Sequence, residues 1–334
     1  MMNNNFNVVF LGGSITEGLG ASIYENSYVY KVAEYLKTIY QNKKLNIINS
    51  GVSGTGSNFG VFRLKRDVID NDPNLVFIEF AVNDRIENSY NAAVTIEGIL
   101  RQLANLKNKP AVVILITPTG LSDACSSVHK RIAYYYDAPV IDIQDYVYRH
   151  IGKEEYSWKD ISIDNFHPND KGHEIYAECI INSIKENLDI INKKAIKKIE
   201  TITGYEFNNP SIVSYEKATF YGNWREENIN IPQIEVAAVS DTVGDCIEFN
   251  FSGKCIAITT LLSQESGCME INIDGVNYFL DLYTNLSPYF SSAINLFNLK
   301  GGNHNMIIKV SDRKNSDSKG NKVAVGAFLV DMIY

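Results

Sequence analysis

Cysteine is scarce in this sequence and follows no pattern that would pair it. The five cysteines in 334 residues are scattered, odd in number and without CxxC spacing: Cys125, Cys179, Cys246, Cys255 and Cys268. Neither a disulfide framework nor a zinc site is therefore indicated, and buried free thiols are the simpler interpretation. A disulfide among the last three, which share one strand-rich region, stays open as an alternative.

Long apolar runs and clusters of basic residues are scarce as well. The longest apolar stretches, such as 111–116, are far too short to cross a bilayer. A net charge of -8, with one local basic run at 193–198, argues against nucleic acid or a membrane surface as partner. The first five residues show neither the basic nor the apolar region of a signal peptide. This predicts a cytoplasmic protein, or a secreted one if a leader was trimmed.

Roughly the first 190 residues alternate short apolar runs with helical periods. Strands are predicted at 7–11, 45–49, 75–80, 111–116 and 140–143, and helices from residue 27 onward, at 92–106 and at 172–188. A Gly/Ser-rich loop is predicted at 50–60. Strands alternating with helices predict an α/β fold with a parallel sheet covered on both faces.

After about Lys198 the helical period disappears. Strand-like segments follow at 234–238, 246–251, 257–262, 269–273, 278–282, 306–310 and 324–333, with a hairpin turn signal at Asp274-Gly275. We therefore predict a second domain that is an antiparallel β-sandwich or jelly roll. The predicted domains are 1–195 and 205–334, with a linker near 190–205.

A glycine-rich turn follows the first predicted strand, in the segment Gly12-Gly13-Ser14-Ile15-Thr16. A serine at this place projects above the carboxyl ends of the strands, where open α/β sheets bind ligands. The glycines permit a tight backbone and the close approach of a substrate. Ser14 is therefore a candidate nucleophile, and a structural turn serine is the alternative.

Asp164 and His167 lie three residues apart, just before the last predicted helix of the first domain. On a turn, this spacing lets a carboxylate orient an imidazole, and Pro168 stiffens the loop behind it. A neutral histidine held at Nδ1 presents Nε2 as a general base to a serine hydroxyl. A surface loop that leads into a helix is the alternative interpretation.

The other histidines are weaker candidates for the base. His173 lies inside the predicted helix, where packing or solvent exposure suits it better. The sequence shows no comparable carboxylate partner for His129, His150 or His304.

Four segments, in this order and spacing, resemble the signature blocks of the SGNH (GDSL-type) hydrolases, a family of esterases, lipases and carbohydrate deacetylases. They are 12–16, 51–54, 81–84 and 164–168. The resemblance covers roughly the first 190 residues and implies a three-layer α/β/α, flavodoxin-like catalytic domain. It implies hydrolysis through an acyl-enzyme, with no metal and no organic cofactor.

The resemblance also implies a role for single residues. Ser14, Asp164 and His167 correspond to the catalytic triad. The N–H of Ser14, the N–H of Gly54 and the side chain of Asn83 correspond to the oxyanion hole, whose donors must be aimed at the developing charge.

The sequence departs from the family pattern at two positions. Gly13 stands where the family usually has aspartate, and this leaves open which group supports the turn. Ala81 stands where the family usually has glycine, and its methyl group is expected to narrow the pocket slightly. Asp84 is interpreted as a cap or a loop hydrogen bonder.

SGNH enzymes with an appended β-sandwich are often carbohydrate esterases, so the expected substrate is a small-molecule or oligosaccharide ester, with O-acetyl removal favoured. A lipase or thioesterase for short acyl chains, a sugar O-acetyltransferase and a non-catalytic glycan-binding protein are the alternatives. Five aromatic side chains are candidates for a sugar-stacking face: Tyr221, Trp224, Tyr283, Tyr289 and Phe290. Core or turn aromatics are the alternative, and no substrate-binding residue is assigned. The oligomeric state also stays open.

Overall fold

The computed structural model describes residues 5–121, 125–192, 196, 200–231 and 234–333. The chain divides into two compact units, Met1–Glu206 and Phe207–Tyr334. Apart from Ile196, the basic run at 193–198 lies outside the described residues, and it takes with it part of the predicted linker at 190–205.

The first unit is built on a five-stranded parallel sheet. Its strands are β1 (Asn5–Gly12), β2 (Lys44–Gly51), β3 (Leu75–Glu79), β4 (Ala111–Ile116) and β5 (Val140–Asp142). They pair in the order β2-β1-β3-β4-β5, which is the flavodoxin-like order of a doubly wound sheet. Every residue of β3 and β4 is buried, because helices cover both faces of the sheet. The predicted α/β fold is confirmed.

Helices connect these strands and cover them. The α-helices in the described residues are α1 (Ser14–Glu17), α2 (Tyr28–Ile39), α3 (Ser57–Asp67), α4 (Ser89–Ala104), α5 (Ser126–Tyr135), α6 (Ile143–Gly152), α7 (Trp158–Ile161), α8 (Asp170–Glu186) and α9 (Asp189–Asn192). Short 3₁₀ helices occur at Tyr24–Asn26, Ile69–Asn71, Asn83–Ile86 and Tyr215–Lys217.

Side chains that alternate along β1 fill the layers on either side of the sheet. Val8 and Phe10 belong to the core cluster that includes the buried faces of α2 and α8. Phe10 stacks on Phe77 of β3, with their ring centroids 4.7 Å apart. Because successive strand residues point to opposite faces, the equally buried Val9 and Leu11 serve the other layer.

Among the helices of ten or more residues in the described chain, α3, α5 and α6 were not predicted from the sequence, and neither were the four-residue helices α1, α7 and α9. The segment 50–60 was predicted to be a loop, yet α3 begins at Ser57. Its first turn is capped from a distance, because the Asp84 carboxylate accepts a hydrogen bond from the Ser57 N–H at 2.8 Å. A cap supplied from so far along the chain leaves no local signal in the sequence.

The first unit extends to Glu206, beyond the predicted end of the domain at 195. The buried carboxylate of Glu97 on α4 explains this extension. It accepts hydrogen bonds from the N–H groups of Ile202 at 2.8 Å and Thr203 at 3.0 Å, and from the Thr201 hydroxyl at 2.7 Å. This segment is therefore held against the α/β unit.

The second unit is all-β, as predicted. Its strands are β6 (Pro210–Ser214), β7 (Thr219–Tyr221), β8 (Arg225–Ile231), β9 (Ile234–Ser240), β10 (Cys246–Leu262), β11 (Cys268–Ile273), β12 (Val276–Asp281), β13 (Tyr289–Leu296), β14 (Gly302–Val310) and β15 (Val323–Met332). They form an antiparallel sheet in the order β12-β11-β14-β10-β15-β9-β8; β13 and β7 also pair with β10, and β6 pairs with β15.

One long strand replaces two predicted ones. The segments predicted at 246–251 and 257–262 are both part of β10. The first part of β10 pairs with β14, and the second part pairs with β13 and β15. A register shift between Gly253 and Ile256 marks the change of partner, as a β-bulge does when it bends a strand.

The aromatic side chains proposed as a sugar-stacking face do not form one face. Tyr221 on β7 pairs with Cys246 at the start of β10, whereas Tyr289 on β13 pairs with Leu262 at its end. Phe290 is buried in a core cluster. Core packing is the better interpretation for Phe290, and the two tyrosines lie beside opposite ends of β10.

The cysteines are free thiols in the described chain, and four of them are buried, whereas Cys246 is partly exposed. The interpretation as free thiols is confirmed, and the alternative of a disulfide in the second unit is wrong. In the parts of the chain that the structure describes, no helix is long and apolar enough to cross a membrane.

Candidate active site

The sheet brings three of the four sequence segments to one edge. Ser14 follows β1, Gly54 follows β2, and Asn83 begins the 3₁₀ helix after β3. These three strands are neighbours and parallel, so their carboxyl ends lie side by side. The fourth segment, which holds Asp164 and His167, is the loop before α8.

Ser14, His167 and Asp164 form one hydrogen-bonded chain. The Ser14 Oγ lies 2.9 Å from His167 Nε2, and His167 Nδ1 lies 2.7 Å from Asp164 Oδ2. An ionised carboxylate only accepts hydrogen bonds, so Nδ1 carries the ring proton and Nε2 accepts the proton of the serine hydroxyl. Ser14 is nearly buried at 6% exposure, whereas the His167 side chain is 20% exposed. This is the arrangement of a nucleophile, a general base and an orienting acid.

The loop itself fixes the Asp164 carboxylate. Its second oxygen, Oδ1, accepts hydrogen bonds from the N–H groups of Phe166 and His167, both at 2.7 Å. Partial burial raises the pKa of Asp164, but the hydrogen bonds from His167 and Phe166 outweigh it and hold the pKa below its ordinary value. Asp164 therefore stays ionised at neutral pH.

The backbone around Asp164 is held from outside the loop. The Trp158 indole donates a hydrogen bond to the Asp164 carbonyl at 2.8 Å. The Ser162 hydroxyl lies within hydrogen-bond distance of the carbonyls of Asp164 and His167, at 2.5 and 2.7 Å. These contacts fix the direction in which the imidazole points.

The side chain of Asn83 explains why residue 13 is glycine. A Cβ on Gly13 would overlap the Asn83 amide and would crowd the Thr55 carbonyl at 3.2 Å. Asn83 Oδ1 is buried and, among the described residues, has no hydrogen-bond partner. The amide oxygen therefore faces Gly13, and the Nδ2 end points away from it.

We predict that Gly13→Ala lowers kcat by about 10²-fold, because the added methyl group displaces the Asn83 amide from its place beside Gly13. Steady-state kinetics on a chromogenic acetyl ester measure this effect. Gly152→Ala is the matched control, because among the described residues a Cβ there meets no atom within 4 Å. Equal kcat values for the two variants would contradict the contact between Gly13 and Asn83.

The Gly54 loop is attached to both neighbouring segments. Gly54 has a φ of 74°, a left-handed conformation that favours glycine. On one side, Glu17 of α1 accepts a hydrogen bond from the Ser53 N–H at 2.7 Å. On the other side, Asp84 accepts hydrogen bonds from the Ser57 N–H and hydroxyl, at 2.8 and 2.5 Å. The interpretation of Asp84 as a hydrogen bonder for a loop fits these contacts.

All three histidines for which no carboxylate partner was expected have one. His150 Nε2 lies 3.8 Å from Glu155 Oε2, and the other two histidines are within hydrogen-bond distance of a carboxylate. His129 Nε2 lies 2.9 Å from Asp84 Oδ2, and both side chains are completely buried. His304 Nδ1 lies 2.5 Å from Asp274 Oδ2 in the second unit. Both partners are distant in sequence, which is why the residues near each histidine gave no signal. Asp84 directly follows Asn83 in the chain, so its pairing with His129 ties α5 to the segment that holds Asn83.

His173 has a structural environment. The ring accepts a hydrogen bond from the Tyr28 N–H at Nδ1 and donates from Nε2 to the Leu19 carbonyl, at 3.3 and 3.2 Å. Burial lowers the pKa of His173 to about 4, so the ring is neutral. Both ring nitrogens are occupied, which leaves His167 as the histidine that reaches Ser14.

A metal centre is not evident in the described residues, where no group of three or more His, Cys, Asp or Glu side chains is placed to hold an ion. The groups available at this site are the Ser14 hydroxyl, the His167 imidazole, the Asp164 carboxylate and the side-chain amide of Asn83. They are sufficient for acyl transfer to and from a serine.

Comparison with known proteins gives the same picture of the fold. Residues 10–175 match the family described as GDSL-like lipases and acylhydrolases. A solved structure of a two-domain esterase (CEX) active on acetylated mannans is similar at 24% identity and a TM-score of 0.83, covering 98% of this chain and 91% of that one. A second structure of that esterase, co-crystallized with mannopentaose, is similar at 24% identity and a TM-score of 0.85, covering 99% and 92%. At this identity the similarity shows the shared fold. No curated protein matches the chain in sequence.

Proposed function

We propose that this chain, whose residues 10–175 match the GDSL-like lipase/acylhydrolase family, is a serine esterase that removes acetyl groups from a carbohydrate. The observation that carries the proposed mechanism is the hydrogen-bonded chain from Ser14 through His167 to Asp164, with distances of 2.9 and 2.7 Å. The proposed mechanism uses these side chains and the backbone beside them.

In the first step, the Ser14 Oγ attacks the ester carbonyl carbon while His167 Nε2 takes the hydroxyl proton. The tetrahedral intermediate collapses as the sugar oxygen leaves with that proton. Asp164 stays ionised and stabilises the imidazolium while it exists. The products of this step are the free sugar hydroxyl and an acetyl ester on Ser14.

In the second step, water gives a proton to His167 and attacks the acyl-enzyme carbonyl. The second tetrahedral intermediate releases acetate, and the proton returns from His167 to the Ser14 oxygen. In both steps the oxyanion is assigned to the N–H groups of Ser14 and Gly54 and to the Nδ2 of Asn83. Donors that are fixed before the reaction stabilise the developing charge without reorganising.

The carbohydrate part of the proposal is supported by the two-unit plan. The chain shares its fold, over nearly its whole length, with an esterase described as active on acetylated mannans. The nearly buried serine favours a small acyl group. A lipase or thioesterase, a sugar O-acetyltransferase and a glycan-binding protein without activity are the alternatives that the experiment must separate.

The test is a panel of esters assayed with the wild-type protein and with Ser14→Ala. We expect release of acetate from acetylated oligosaccharides, and p-nitrophenyl acetate to be hydrolysed faster than the butyrate and octanoate esters. Faster hydrolysis of the longer esters would contradict the acetyl specificity and favour a lipase. Acetyl transfer to an added sugar in place of acetate release would favour a transferase, and glycan binding without turnover would favour a binding protein.

A further inference from the structure

Glu79 is a completely buried carboxylate beneath the turn that carries Ser14. It is the last residue of β3 and lies in parallel register with Gly12, the last residue of β1. A charged group in such a position is costly unless it is fully hydrogen-bonded. Its partners therefore indicate what it holds in place.

In the described residues, three hydrogen-bond donors surround the Glu79 carboxylate. The Thr16 hydroxyl donates to Oε2 at 3.0 Å, and the Thr117 hydroxyl donates to Oε1 at 2.8 Å. The backbone N–H of Gly13 also donates to the carboxylate. Thr16 in turn lies 2.8 Å from the hydroxyl of the buried Tyr28, which is left to donate because the Thr16 proton points to Glu79. Donors on all sides match an ionised carboxylate, which only accepts.

Two of these donors flank the nucleophile. Gly13 directly precedes Ser14, and Thr16 lies two residues after it, in the single turn of α1. The Glu79 carboxylate therefore accepts hydrogen bonds from residues on both sides of Ser14. Burial raises the pKa of Glu79 above its ordinary value, while the hydrogen bonds from Thr117, Thr16 and Gly13 act in the opposite direction.

We propose that Glu79 is the positioning residue of the nucleophile: its carboxylate fixes the Gly13 N–H and the Thr16 hydroxyl, and so keeps the Ser14 Oγ within reach of His167. Position 13 has no side chain to support the turn, because Asn83 occupies that space. Glu79, at the end of the neighbouring strand β3, supplies the carboxylate that an aspartate at position 13 would otherwise provide. This inference rests on the proposed function of Ser14 and adds a residue that does not touch the substrate.

The test compares two isosteric changes of buried glutamates, Glu79→Gln and Glu97→Gln. Glu97 is equally buried in the same unit, but its partners are Tyr136 and the segment 201–203. Two quantities are measured on each protein: kcat and KM for p-nitrophenyl acetate, and the rate at which a fluorophosphonate labels Ser14. Thermal unfolding establishes that each variant is folded at the assay temperature.

We expect Glu79→Gln to lower kcat and the labelling rate by about 10- to 100-fold with KM changed less than about 3-fold, because small displacements of a reacting atom have effects of this size. Glu97→Gln is expected to keep both rates within about 3-fold of the wild type. A purely structural role would lower the unfolding temperature of both variants and leave the labelling rate of the folded protein unchanged.

A second variant, Thr16→Val, removes one turn-side hydrogen bond and leaves Glu79 intact. This variant is also expected to lower the labelling rate of Ser14. If Glu79→Gln fails to fold, Thr16→Val tests the positioning role in its place. The inference would be overturned if folded Glu79→Gln were labelled as fast as Glu97→Gln. If Glu79→Gln does not fold, the same comparison is made with Thr16→Val. A wild-type protein that reacts at another residue would overturn the proposed function and this inference with it.

Discussion

Replacing Ser14 with alanine is expected to lower kcat/KM for an acetyl ester by about 10⁴-fold or more, since the acyl-enzyme then has no oxygen on which to form. The residue is nearly buried and its Oγ faces His167 at 2.9 Å, so the change removes one atom and disturbs little packing. The unfolding temperature should stay close to that of the wild type. Steady-state kinetics and thermal unfolding on the same preparation measure both effects.

Ser22→Ala is the matched control for this change. Ser22 is exposed and its hydroxyl donates to Asp170 at 2.6 Å, away from the reacting groups. We expect its kcat/KM to stay within about 2-fold of the wild type, as for most surface substitutions. Esterase activity of Ser14→Ala above one per cent of the wild type would show that another nucleophile does the chemistry.

Asp164→Asn is expected to lower kcat by about 10³- to 10⁴-fold although the shape of the side chain is kept. In the wild type, Oδ1 accepts from two backbone N–H groups and Oδ2 accepts from His167 Nδ1. An asparagine must keep its oxygen toward the two N–H groups, so its NH₂ faces the imidazole. The ring then takes the tautomer with the proton on Nε2, which cannot accept the proton of Ser14.

The pH dependence separates this effect from simple destabilisation. The pKa of Asp164 lies below its ordinary value, so its stabilising interaction is complete above pH of about 4 and is lost as the pH falls through the lowered pKa. The wild type should therefore lose no Asp164-dependent activity between about pH 5 and 8. Asp164→Asn should stay slow over this whole range, while Asp170→Asn, a carboxylate change on α8, should keep the wild-type profile. Recovery of Asp164→Asn activity at any pH in that range would contradict the tautomer argument.

The placement of Ser14, Gly54 and Asn83 was predictable because each follows a strand end, whereas Asp164 and His167 lie in the loop before α8 and were identified from their spacing and from the family resemblance. Apolar runs mark the parallel strands, and residues that follow them meet at one edge of the sheet. The structure accordingly brings Ser14 within reach of His167 and places Asn83 beside Gly13. No knowledge of the side-chain contacts was needed for this step.

The sequence predicted that Asp84 forms hydrogen bonds in a loop, but it did not identify the partners, because they lie far away in sequence. Asp84 caps α3 and pairs with His129, 45 residues further along the chain. Glu79 did leave a signal, since it is a charged residue inside the apolar run 75–80 of a buried strand. Charged side chains are rarely buried without partners, so a glutamate in such a run indicates a specific role.

In the second unit, the strands were easier to predict from the sequence than the side chains that meet across them. Most of its strands were recognisable in the sequence. The hypothesis that the aromatic side chains share one face failed because the pairing of distant strands decides which side chains meet. Tyr221 and Tyr289 pair with opposite ends of the same long strand. Strands β6, β7, β8 and β13 were missed. The sequence of β8, Arg225–Ile231, is largely polar, and the strand lies at the edge of the sheet.

The central claim is that Ser14 carries the acyl group between the two steps. Its most direct test is mass spectrometry of the protein quenched with acid during turnover of p-nitrophenyl acetate, followed by digestion. The account predicts one added acetyl group, on the peptide that contains Ser14, and none on that peptide in Ser14→Ala. An acetyl group trapped on another residue, or turnover of the wild type with no acetylated peptide and no initial burst of p-nitrophenol, would contradict it.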